Sequence, residues 1–474
     1  MLTFITYFFK TMRPAFSRSA THRWFIIAVI GIIMKTDSYG VTSIVRALQL
    51  DQCFYTSLIH FFHSSAFNLD AVLKNWWDFL EKQNMFRKVN DRIVMIGDHT
   101  SKTKEGKKIP ACVSIRQTSE TSSKPNYFRG HFWGCISALQ CSGKKIFATP
   151  LVMKIVQGMN PVSKSDTTNN SLTSVLQMAS NFVNHTGLKA YITLDAYFAS
   201  KNSFKTALMN VCKSTGEFLL HIIVRAKKNV VAYEDPPVKI EGQKGRNRKY
   251  GVKLILMNLF ETCADKFTSE EIILYGKKEM VKYYALNLIW KPIKSKVRFV
   301  LATSSQGNII LMSSDLALNP INIIELYSCR VYIESMFNTF KNVIQGFIYH
   351  FWSSFLPIIK RVPAKINNAY ISNSSNVEKT TITFDAILKF VTCSFIAQGL
   401  LQIIAVKFKN EIIEKSFCWL RTQKNEIPSE FVTKAGFSNI INNSFRYFRE
   451  NTIINLITNM QSKNCIFSFL NKIS

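Results

Sequence analysis

Apolar residues recur at helical spacing through most of the first 90 residues. They fall every three or four positions from Leu69 to Leu80, and Asn68 just before them is suited to cap a helix N-terminus. Shorter helices are predicted at 24–34, 42–49 and 54–63. The pattern indicates a helical bundle over residues 1–90. Basic residues before and between its helices favour an N-terminal DNA-binding domain, and a plain packing domain is the alternative.

The pattern changes at residue 91 to short apolar runs rich in β-branched residues. The first run leads into Asp98 and has the continuous apolar character of a strand buried on both faces. Further strands are predicted at 130–139, 145–156, 189–194 and 218–225, and helices at 171–185 and 201–212. Strands followed by alternating helices and strands favour a mixed α/β sheet. We therefore expect an α/β core that begins in residues 91–225.

A basic, turn-rich segment interrupts this alternation from 226 to 308. Its strand-like runs at 254–260, 282–290 and 297–305 indicate a β-rich insertion. Its cations form either a basic rim for a polyanion or an ordinary solvated loop. These cations are Lys227, Lys228, Lys244, Arg246, Arg248 and Lys249. The core is expected to resume over 309–350, with a strand at 309–312 and then a helix.

Residues 351–474 are predicted to form a helical C-terminal region. Their longest apolar run, 386–406, is interrupted by Lys389, Gln398 and Gln402. These polar residues favour a buried helix of a soluble protein over a membrane-spanning helix.

The helix predicted at 327–341 has an unusual polar face. Tyr327, Arg330, Glu334 and Lys341 fall within about 60° of one another on an ideal helix. An adjoining apolar stripe would pack on a core, so a carboxylate flanked by two cations and a phenol would be presented outward. An ordinary surface helix with an i, i+4 charge pattern is the alternative.

The charge balance points to a polyanionic partner. Sixty Lys and Arg residues against thirty Asp and Glu leave a net charge of +30. Nucleic acid is the first candidate and an anionic membrane surface the second. The ten cysteines form no CxxC pair, which argues against a zinc ribbon or a disulfide framework and favours a reducing cytosol. The apolar run 25–34 is too short to span a bilayer, so no membrane insertion is expected.

Three acidic residues form a candidate metal site. Asp98 and Asp195 each follow a predicted buried strand, and Glu334 lies on the helix after the sheet. Carboxylates placed in this way could hold two divalent ions about 4 Å apart, which would support in-line attack on a phosphodiester. Phosphoryl transfer to or from DNA is the chemistry implied. Either aspartate could instead form a turn or a cap, and Glu325 is an alternative third acid about half a helical turn out of phase with Glu334.

The spacing Tyr327-x2-Arg330-x3-Glu334-x6-Lys341 resembles the Tyr-Arg-Glu-Lys pattern of DDE transposases of the insertion-sequence-4 type. The sequence around Asp98, IGDHTSKTKEGKKIPACVS and then YFRGHFWG, is similar to that group. The sequence around Asp195, YITLDAYFAS, is similar as well. With the helical N-terminal segment, the resemblance covers most of the chain.

The resemblance implies an RNase H-like catalytic core with Asp98, Asp195 and Glu334 as its metal-binding triad. Two Mg2+ ions would be bound, for which Mn2+ can substitute. Tyr327, Arg330 and Lys341 would contact DNA phosphates, which fix register without reading sequence. Trp290 would stack on a flipped base, unless it is a core residue. His99 beside Asp98 would either tune the site or only form a local hydrogen bond, and His131 has no stronger claim.

The implied activity is cut-and-paste transposition. A homodimer would bind the terminal inverted repeats of an insertion sequence, cleave double-stranded DNA in trans and transfer the cut strands to target DNA. The expected location is the cytoplasm, at the nucleoid. The alternative is a catalytically inactive or repurposed transposase-derived protein that binds DNA without cutting it.

Overall fold

The computed structural model describes residues 1–116, 127–143, 145–158, 171–238, 246–356, 358, 374–417, 427–447 and 451–462. Within these residues the chain has a mixed α/β fold, with one large mixed sheet and helices at both ends of the chain. Lys244, which the sequence assigned to a basic rim, lies outside the described residues.

Five helices precede the sheet. They are α1 (Leu2–Met12), α2 (Ser19–Met34), α3 (Val41–Ala47), α4 (Phe54–His63) and α5 (Leu69–Lys82). Asn68 caps α5 as expected, since its side chain accepts a hydrogen bond from the Ala71 N–H. Helix α1 was not anticipated. The indole N–H groups of Trp76 and Trp77 on α5 donate to backbone carbonyls of Pro150 and Leu151, so this helix is fixed to the sheet.

The first part of the sheet follows the expected order of elements. It contains β1 (Lys88–Val89), β2 (Arg92–Thr103), β3 (Val113–Arg116), β4 (Tyr127–Ser142), β5 (Lys145–Ile155), α6 (Ser171–Thr186), β6 (Ala190–Leu194), α7 (Lys201–Leu208) and β7 (Leu220–Arg225). β4 is antiparallel to both β2 and β5, whereas β2, β6 and β7 run parallel. The five strands lie in the order β5-β4-β2-β6-β7. The predicted mixed sheet is therefore confirmed.

The insertion extends this sheet. It contains β8 (Val231–Tyr233), β9 (Lys253–Ile255), α8 (Leu259–Thr262), β10 (Thr268–Leu274), β11 (Lys277–Trp290) and β12 (Ser295–Ser304), and it leads into β13 (Gly307–Ser313). β13 pairs with β7 on one side and β12 on the other, so core and insertion strands are continuous. The strands predicted at 282–290 and 297–305 are confirmed. The strand predicted at 254–260 is wrong, because most of that run forms helical turns that bury Leu256 and Leu259 at helical spacing.

The remaining elements are α9 (Pro320–Ser328), α10 (Val331–Asn342), α11 (Ser374–Lys407), α12 (Lys409–Ser416), α13 (Glu430–Tyr447) and α14 (Thr452–Thr458). In α11, residues Asn376–Lys407 are long and apolar enough to cross a membrane by length and composition alone, but 94% of their most apolar window is buried inside the fold.

The three polar residues of the predicted buried helix 386–406 lie in α11 and form hydrogen bonds with backbone carbonyls of neighbouring elements. Lys389 donates to the Ser64 carbonyl, Gln398 to that of Met336 and Gln402 to that of Ala148. These bonds join α11 to α4, α10 and β5. They explain how a buried helix tolerates three polar interruptions, since each amine or amide N–H finds a carbonyl.

Candidate functional site

Three parallel strands bring one polar residue each to the same edge of the sheet. β2 runs parallel to β6 with Ile96 opposite Thr193, and β6 runs parallel to β7 in the same manner. Continuing these registers by one or two residues places Asp98 beside Asp195 and Asp195 beside Arg225. The two aspartates, 97 residues apart in sequence, are therefore neighbours in the sheet.

The strand that carries Asp98 does not end there, so the prediction of a strand end at this residue is wrong. Only the parallel pairing with β6 stops near Asp98. The antiparallel pairing with β4 continues as far as Thr103, opposite Gly130. Asp98 thus lies where β2 loses its parallel neighbour and one edge of its backbone becomes open.

The two faces of β2 carry different partners, because successive side chains of a strand alternate. A Cβ atom on Gly97 would lie 3.1 Å from Val175 of α6. The His99 Nε2 atom is 3.1 Å from the carbonyl oxygen of Ser171 on the same helix. Asp98 is therefore on the opposite face from α6, together with Thr100 and Lys102.

Asp195 has a structural task as well. Its Oδ1 accepts a hydrogen bond from the Tyr197 N–H at 3.0 Å and caps the short 3-10 helix Ala196–Phe198. The turn-forming role that the sequence left open for this aspartate is thus observed. It does not exclude a second role, because a carboxylate has further lone pairs to offer.

The helix predicted at 327–341 is broken at Arg330, so the prediction of one continuous helix is wrong. The Arg330 N–H donates to the Tyr327 carbonyl, and the Ile333 N–H donates to the Arg330 carbonyl. Such i to i−3 bonds mark a tighter turn than the α-helix. Tyr327 therefore belongs to the last turn of α9, whereas Glu334 lies in the first turn of α10.

Arg330 joins the first and third acids. One of its terminal nitrogens is 2.8 Å from Asp98 Oδ2, and the other is 3.1 Å from Glu334 Oε1. The side chains of Asp98 and Arg330 are 20% and 23% exposed, whereas that of Glu334 is 60% exposed. The charge of Asp195 also acts on Arg330. The structure therefore bonds the first and third predicted acids to one guanidinium group, and strand register places the second acid, Asp195, beside Asp98.

The Asp98 carboxyl has a perturbed affinity for protons. Burial raises its pKa from 3.8 to about 6, and the negative charges of Asp195 and Glu334 act in the same direction. The His99 backbone N–H and the Arg330 guanidinium act in the opposite direction. A carboxylate that is desolvated and surrounded by like charge is stabilised by any cation that reaches it.

Glu325 lies apart from this cluster. Its charge acts on Cys329, which is on the Arg87 side of α9. It is absent from the charges that shift the pKa of Asp98, whereas Glu334 is among them. Of the two candidates for the third acid, Glu334 is the one that faces Asp98.

The donor atoms suit a hard divalent cation, but their present positions do not form a complete site. Carboxylate oxygens are the ligands that Mg2+ prefers. In the parts of the chain that the structure describes, no three Asp, Glu, His or Cys side chains are arranged to hold one ion together. The Arg330 guanidinium is bonded to Asp98 and to Glu334. These two carboxylates could share an ion only after Arg330 had moved away.

Tyr327 lies at the Asp195 side of the cluster. Burial raises the pKa of its phenol, and the charges of Arg330, Arg225 and Asp195 act on it. Arg225, the last residue of β7, was not singled out from the sequence. Its place at the end of the third parallel strand is the signal that could have identified it, because the ends of neighbouring parallel strands meet.

Lys341 lies at the other end of the polar face. It is about 10 Å along α10 from Glu334, given the helical rise per residue. Burial lowers the pKa of Lys341, and the nearby charge of Lys102 on β2 acts in the same direction. Lys341 and Lys102 thus form a pair of cations beyond the acids, on the same side of the sheet.

Of the remaining candidates, His99 is half-buried and Trp290 is buried. His99 is stacked between Phe132 and Phe198, at ring distances of 4.8 and 5.0 Å. Burial lowers its pKa, and its hydrogen bond to Ser171 is the local bond that the sequence allowed. Trp290 is 7% exposed and packs on Phe204. This burial favours the core role for Trp290 over base stacking.

His131 is a fully buried residue of strand β4. It contacts the hydroxyl of Tyr349 and the carbonyl of Pro110 through its two ring nitrogens. Burial lowers its pKa to about 3, so the ring is neutral at physiological pH. These contacts identify a structural histidine.

Comparisons with known proteins add little to this geometry. No model of a known protein family matches the chain, and no curated protein matches it. One solved structure with some similarity is the crystal structure of the NurA nuclease from Sulfolobus solfataricus. It is 10% identical with a TM-score of 0.23, over 63% of this chain and 95% of that one. At such values the similarity carries no argument about fold or function.

Proposed function

We propose that this protein is a DNA transposase of the insertion-sequence-4 type that cleaves DNA ends and transfers the cut strands. The observation that carries the proposal is that Arg330 bonds both Asp98 and Glu334, while strand register places Asp195 beside Asp98. These acids come from two strands and a helix that are far apart in sequence, and only the fold brings them together.

The sheet supports an RNase H-like catalytic core. In the order β5-β4-β2-β6-β7, an antiparallel set of three strands is followed by two parallel strands. This is the arrangement expected of that fold, with Asp98 on its central strand and Asp195 after the next parallel strand. The β-rich insertion separates this core from the helix that carries Glu334, as the resemblance implies.

The charge on the open face supports DNA as the substrate. Four cations lie around the three acids or along the same face beyond them: Arg225, Arg330, Lys341 and Lys102. The chain as a whole carries a net charge of +30. Cations near a carboxylate cluster can hold the phosphates on both sides of a scissile bond. Double-stranded DNA would be bound by a homodimer at the nucleoid, in keeping with the resemblance.

Asp98, Asp195 and Glu334 would hold two Mg2+ ions, for which Mn2+ can substitute. Such ions would supply activation of a water or 3′-hydroxyl group and stabilisation of the leaving oxygen. The protein's own contribution is distinct. Asp98 is deprotonated above its pKa of about 6, and Arg330 would exchange its two carboxylates for a DNA phosphate when the substrate arrives.

The test is strand cleavage in Mg2+ on DNA that carries the inverted repeats flanking the gene. Asp98→Asn, Asp195→Asn and Glu334→Gln should each reduce cleavage to background and leave binding of the ends largely intact. Glu325→Gln is the matched control, because Glu325 is an acid of the same helical region that lies outside the cluster. It should cleave like the wild type.

Each result has a defined meaning. Cleavage by any one of the three variants at the wild-type rate would remove that residue from the triad. Loss of cleavage in Glu325→Gln, together with activity in Glu334→Gln, would reverse the choice of third acid. Absence of cleavage by the wild type on its own ends would overturn the enzymatic proposal.

One observation favours a second function, a transposase-derived protein that binds DNA without cutting it. Arg330 is paired with both Asp98 and Glu334, and no complete three-ligand site is arranged within the described residues. If Arg330 stayed in place on DNA, no ion could be shared by these two carboxylates. End binding without cleavage or bound metal would support this alternative.

A further inference from the structure

Two cavities that share lining residues lie next to each other, and Lys102 of the cation pair lines the larger one. The larger has a volume of about 660 Å³ and is lined by residues 102–109 and 348–352. The smaller has a volume of about 270 Å³ and is lined by residues of α3 and α4. His350 and Phe351 line both cavities. We call this joined space the aromatic groove.

Three aromatic side chains are exposed along the aromatic groove. Trp352 is 64% exposed, Tyr39 is 61% exposed and Tyr55 is 43% exposed. Large aromatic residues normally lose water on folding, so three such residues on one continuous surface require an explanation. The Arg46 guanidinium lies 4.8 Å from the Tyr39 ring centroid and covers one of its faces.

The groove is rimmed by cations. Lys102 and Lys107 line its larger part, and Lys108 donates to the Ser354 carbonyl at its edge. Glu105 is the one carboxylate among the residues that line the described groove. Asp37, close by, is paired with Arg46 at 3.2 Å. The surface therefore combines apolar rings with a positive rim.

The groove is also connected to the acid cluster. Asp98, Thr100 and Lys102 lie on the same face of β2, and Lys102 is about 13 Å from Asp98 along the strand. Lys341, on α10, is near enough to Lys102 for the two positive charges to repel each other. A strand of DNA held at Asp98 could pass these two cations and enter the groove.

We propose that the aromatic groove binds single-stranded DNA, with bases stacked on Trp352 and Tyr39 and phosphates on Lys102 and Lys107. Exposed aromatic rings with a cationic rim are the features that bind single strands without reading sequence. The proposal rests on the proposed function for the origin of the strand, a segment separated from its complement at the cleaved end. The stacking itself does not depend on the acids.

The test is binding of a fluorescein-labelled oligothymidylate of about a dozen nucleotides, measured by anisotropy without divalent metal. Trp352→Ala and Tyr39→Ala should each weaken binding by about fivefold or more, and the double variant more strongly. Trp352→Phe should retain most of the affinity because it keeps a stacking surface. Phe431→Ala is the control, since Phe431 is 63% exposed on α13 and does not line the groove.

Two further arms decide between explanations. Lys107→Ala should reduce the salt dependence of binding by about 0.7 in the logarithmic slope, as expected for one phosphate contact on a single strand. A duplex of the same length should lose little affinity in Trp352→Ala, because paired bases cannot stack on the ring. Circular dichroism and melting of each variant verify that it is folded.

The proposal is overturned if Trp352→Ala and Tyr39→Ala bind the oligonucleotide like the wild type, or if Phe431→Ala loses as much affinity as they do. Its failure is distinguishable from failure of the proposed function. Asp98→Asn should bind the oligonucleotide normally while it fails to cleave. The wild type could cleave DNA ends while the groove variants bind the oligonucleotide normally. That result would leave the transposase proposal intact and overturn only the proposal that the groove binds single-stranded DNA.

Discussion

At the scale of single residues, the site depends on Arg330, whose guanidinium lies between two carboxylates that the proposed chemistry needs free. Its two hydrogen bonds offset the like charges of Asp98 and Glu334, and its charge holds the pKa of Asp98 lower than burial alone would. A protein that gathers acids for metal binding must keep them from repelling one another before the metal arrives. We infer that Arg330 provides this in the unbound state.

Replacing Arg330 by Gln should strengthen divalent-metal binding in the absence of DNA. At about pH 8, above the pKa of Asp98, the Asp98 and Glu334 carboxylates would both be charged and would no longer be paired with a guanidinium. Calorimetric titration with Mg2+ or Mn2+ should therefore show several-fold tighter binding. The pKa of Asp98 should rise when Arg330 is lost. The pH at which protons displace the metal should therefore move upward from the wild-type value.

Arg246→Gln serves as the control for this experiment, because it removes one exposed positive charge from the insertion. If Arg330 is released to a phosphate in the proposed reaction, binding of DNA ends should weaken in Arg330→Gln. Unchanged metal affinity in Arg330→Gln would show that the guanidinium does not compete with the ion.

The candidate acids could be predicted from the sequence because each follows a recognisable local pattern. Asp98 and Asp195 follow buried apolar runs, and Glu334 has fixed spacing to Tyr327 and Lys341. The ion pair of Arg330 with Asp98 could not be predicted, since it joins residues 232 apart in the chain. It depends on the strand register and on the break before α10, which are properties of the tertiary fold.

At the scale of elements, helix α10 is held at its C-terminal end by two lysines, the buried Lys35 and the half-buried Lys434. Lys35 donates to the Gln345 carbonyl at 3.1 Å, and Lys434 donates to the Val343 carbonyl at 2.9 Å. Carbonyls past the end of a helix have no partner within it, so the Lys35 and Lys434 amines supply the missing hydrogen-bond donors. These two residues, from the first and last parts of the chain, fix the helix that carries Glu334.

Lys35 should make a contribution to the free energy of unfolding that rises as the pH increases from about 7 to about 10. Burial lowers the pKa of Lys35 to about 7, whereas the unfolded chain keeps a lysine pKa near 10.4. In this window the unfolded state binds a proton that the folded state lacks, so the free energy of unfolding increases with pH. Lys35→Met should make the slope shallower, by up to about 1.4 kcal/mol per pH unit.

Urea denaturation at a series of pH values measures this slope. Lys10→Met is the control, because Lys10 is exposed on α1 and should leave the slope as in the wild type. Equal slopes in Lys35→Met and the wild type would mean that Lys35 stays charged in the folded protein.

The element boundaries show which local signals are sufficient. Helix α5 is bounded as the sequence indicated, because Asn68 supplies a cap and the apolar period is regular. The run at 254–260 was misjudged because a short apolar run fits strand and helix equally well. The extension of β2 beyond Asp98 depends on pairing with β4, which no local pattern reveals.

At the scale of the whole molecule, one hydrophobic core includes residues of the N-terminal helices, the sheet and the C-terminal helices. The N-terminal amine is 3.3 Å from a carboxylate oxygen of Glu411, and Lys389 of α11 donates to the Ser64 carbonyl. The sequence divided these regions by changes of pattern along the chain. A division based on local pattern cannot show packing between segments that are distant in the chain. The N-terminal and C-terminal helices therefore make more contacts with each other than the pattern indicated.

The N-terminal helices should therefore not fold or separate as an independent domain. Deleting residues 1–85 would leave the Pro150 and Leu151 carbonyls without the Trp76 and Trp77 N–H groups and would expose the apolar surface of α11. We expect the chain 86–474 to be insoluble or to lack a cooperative thermal transition. The full chain should unfold in one transition, with coincident fluorescence and circular dichroism curves.

Trp77→Phe is a graded control that removes one buried hydrogen bond, and it should destabilise the protein by about 1–3 kcal/mol while preserving the fold. A soluble 86–474 chain with its own sharp transition would instead support a separate domain over residues 1–90, as a DNA-binding domain at this position requires.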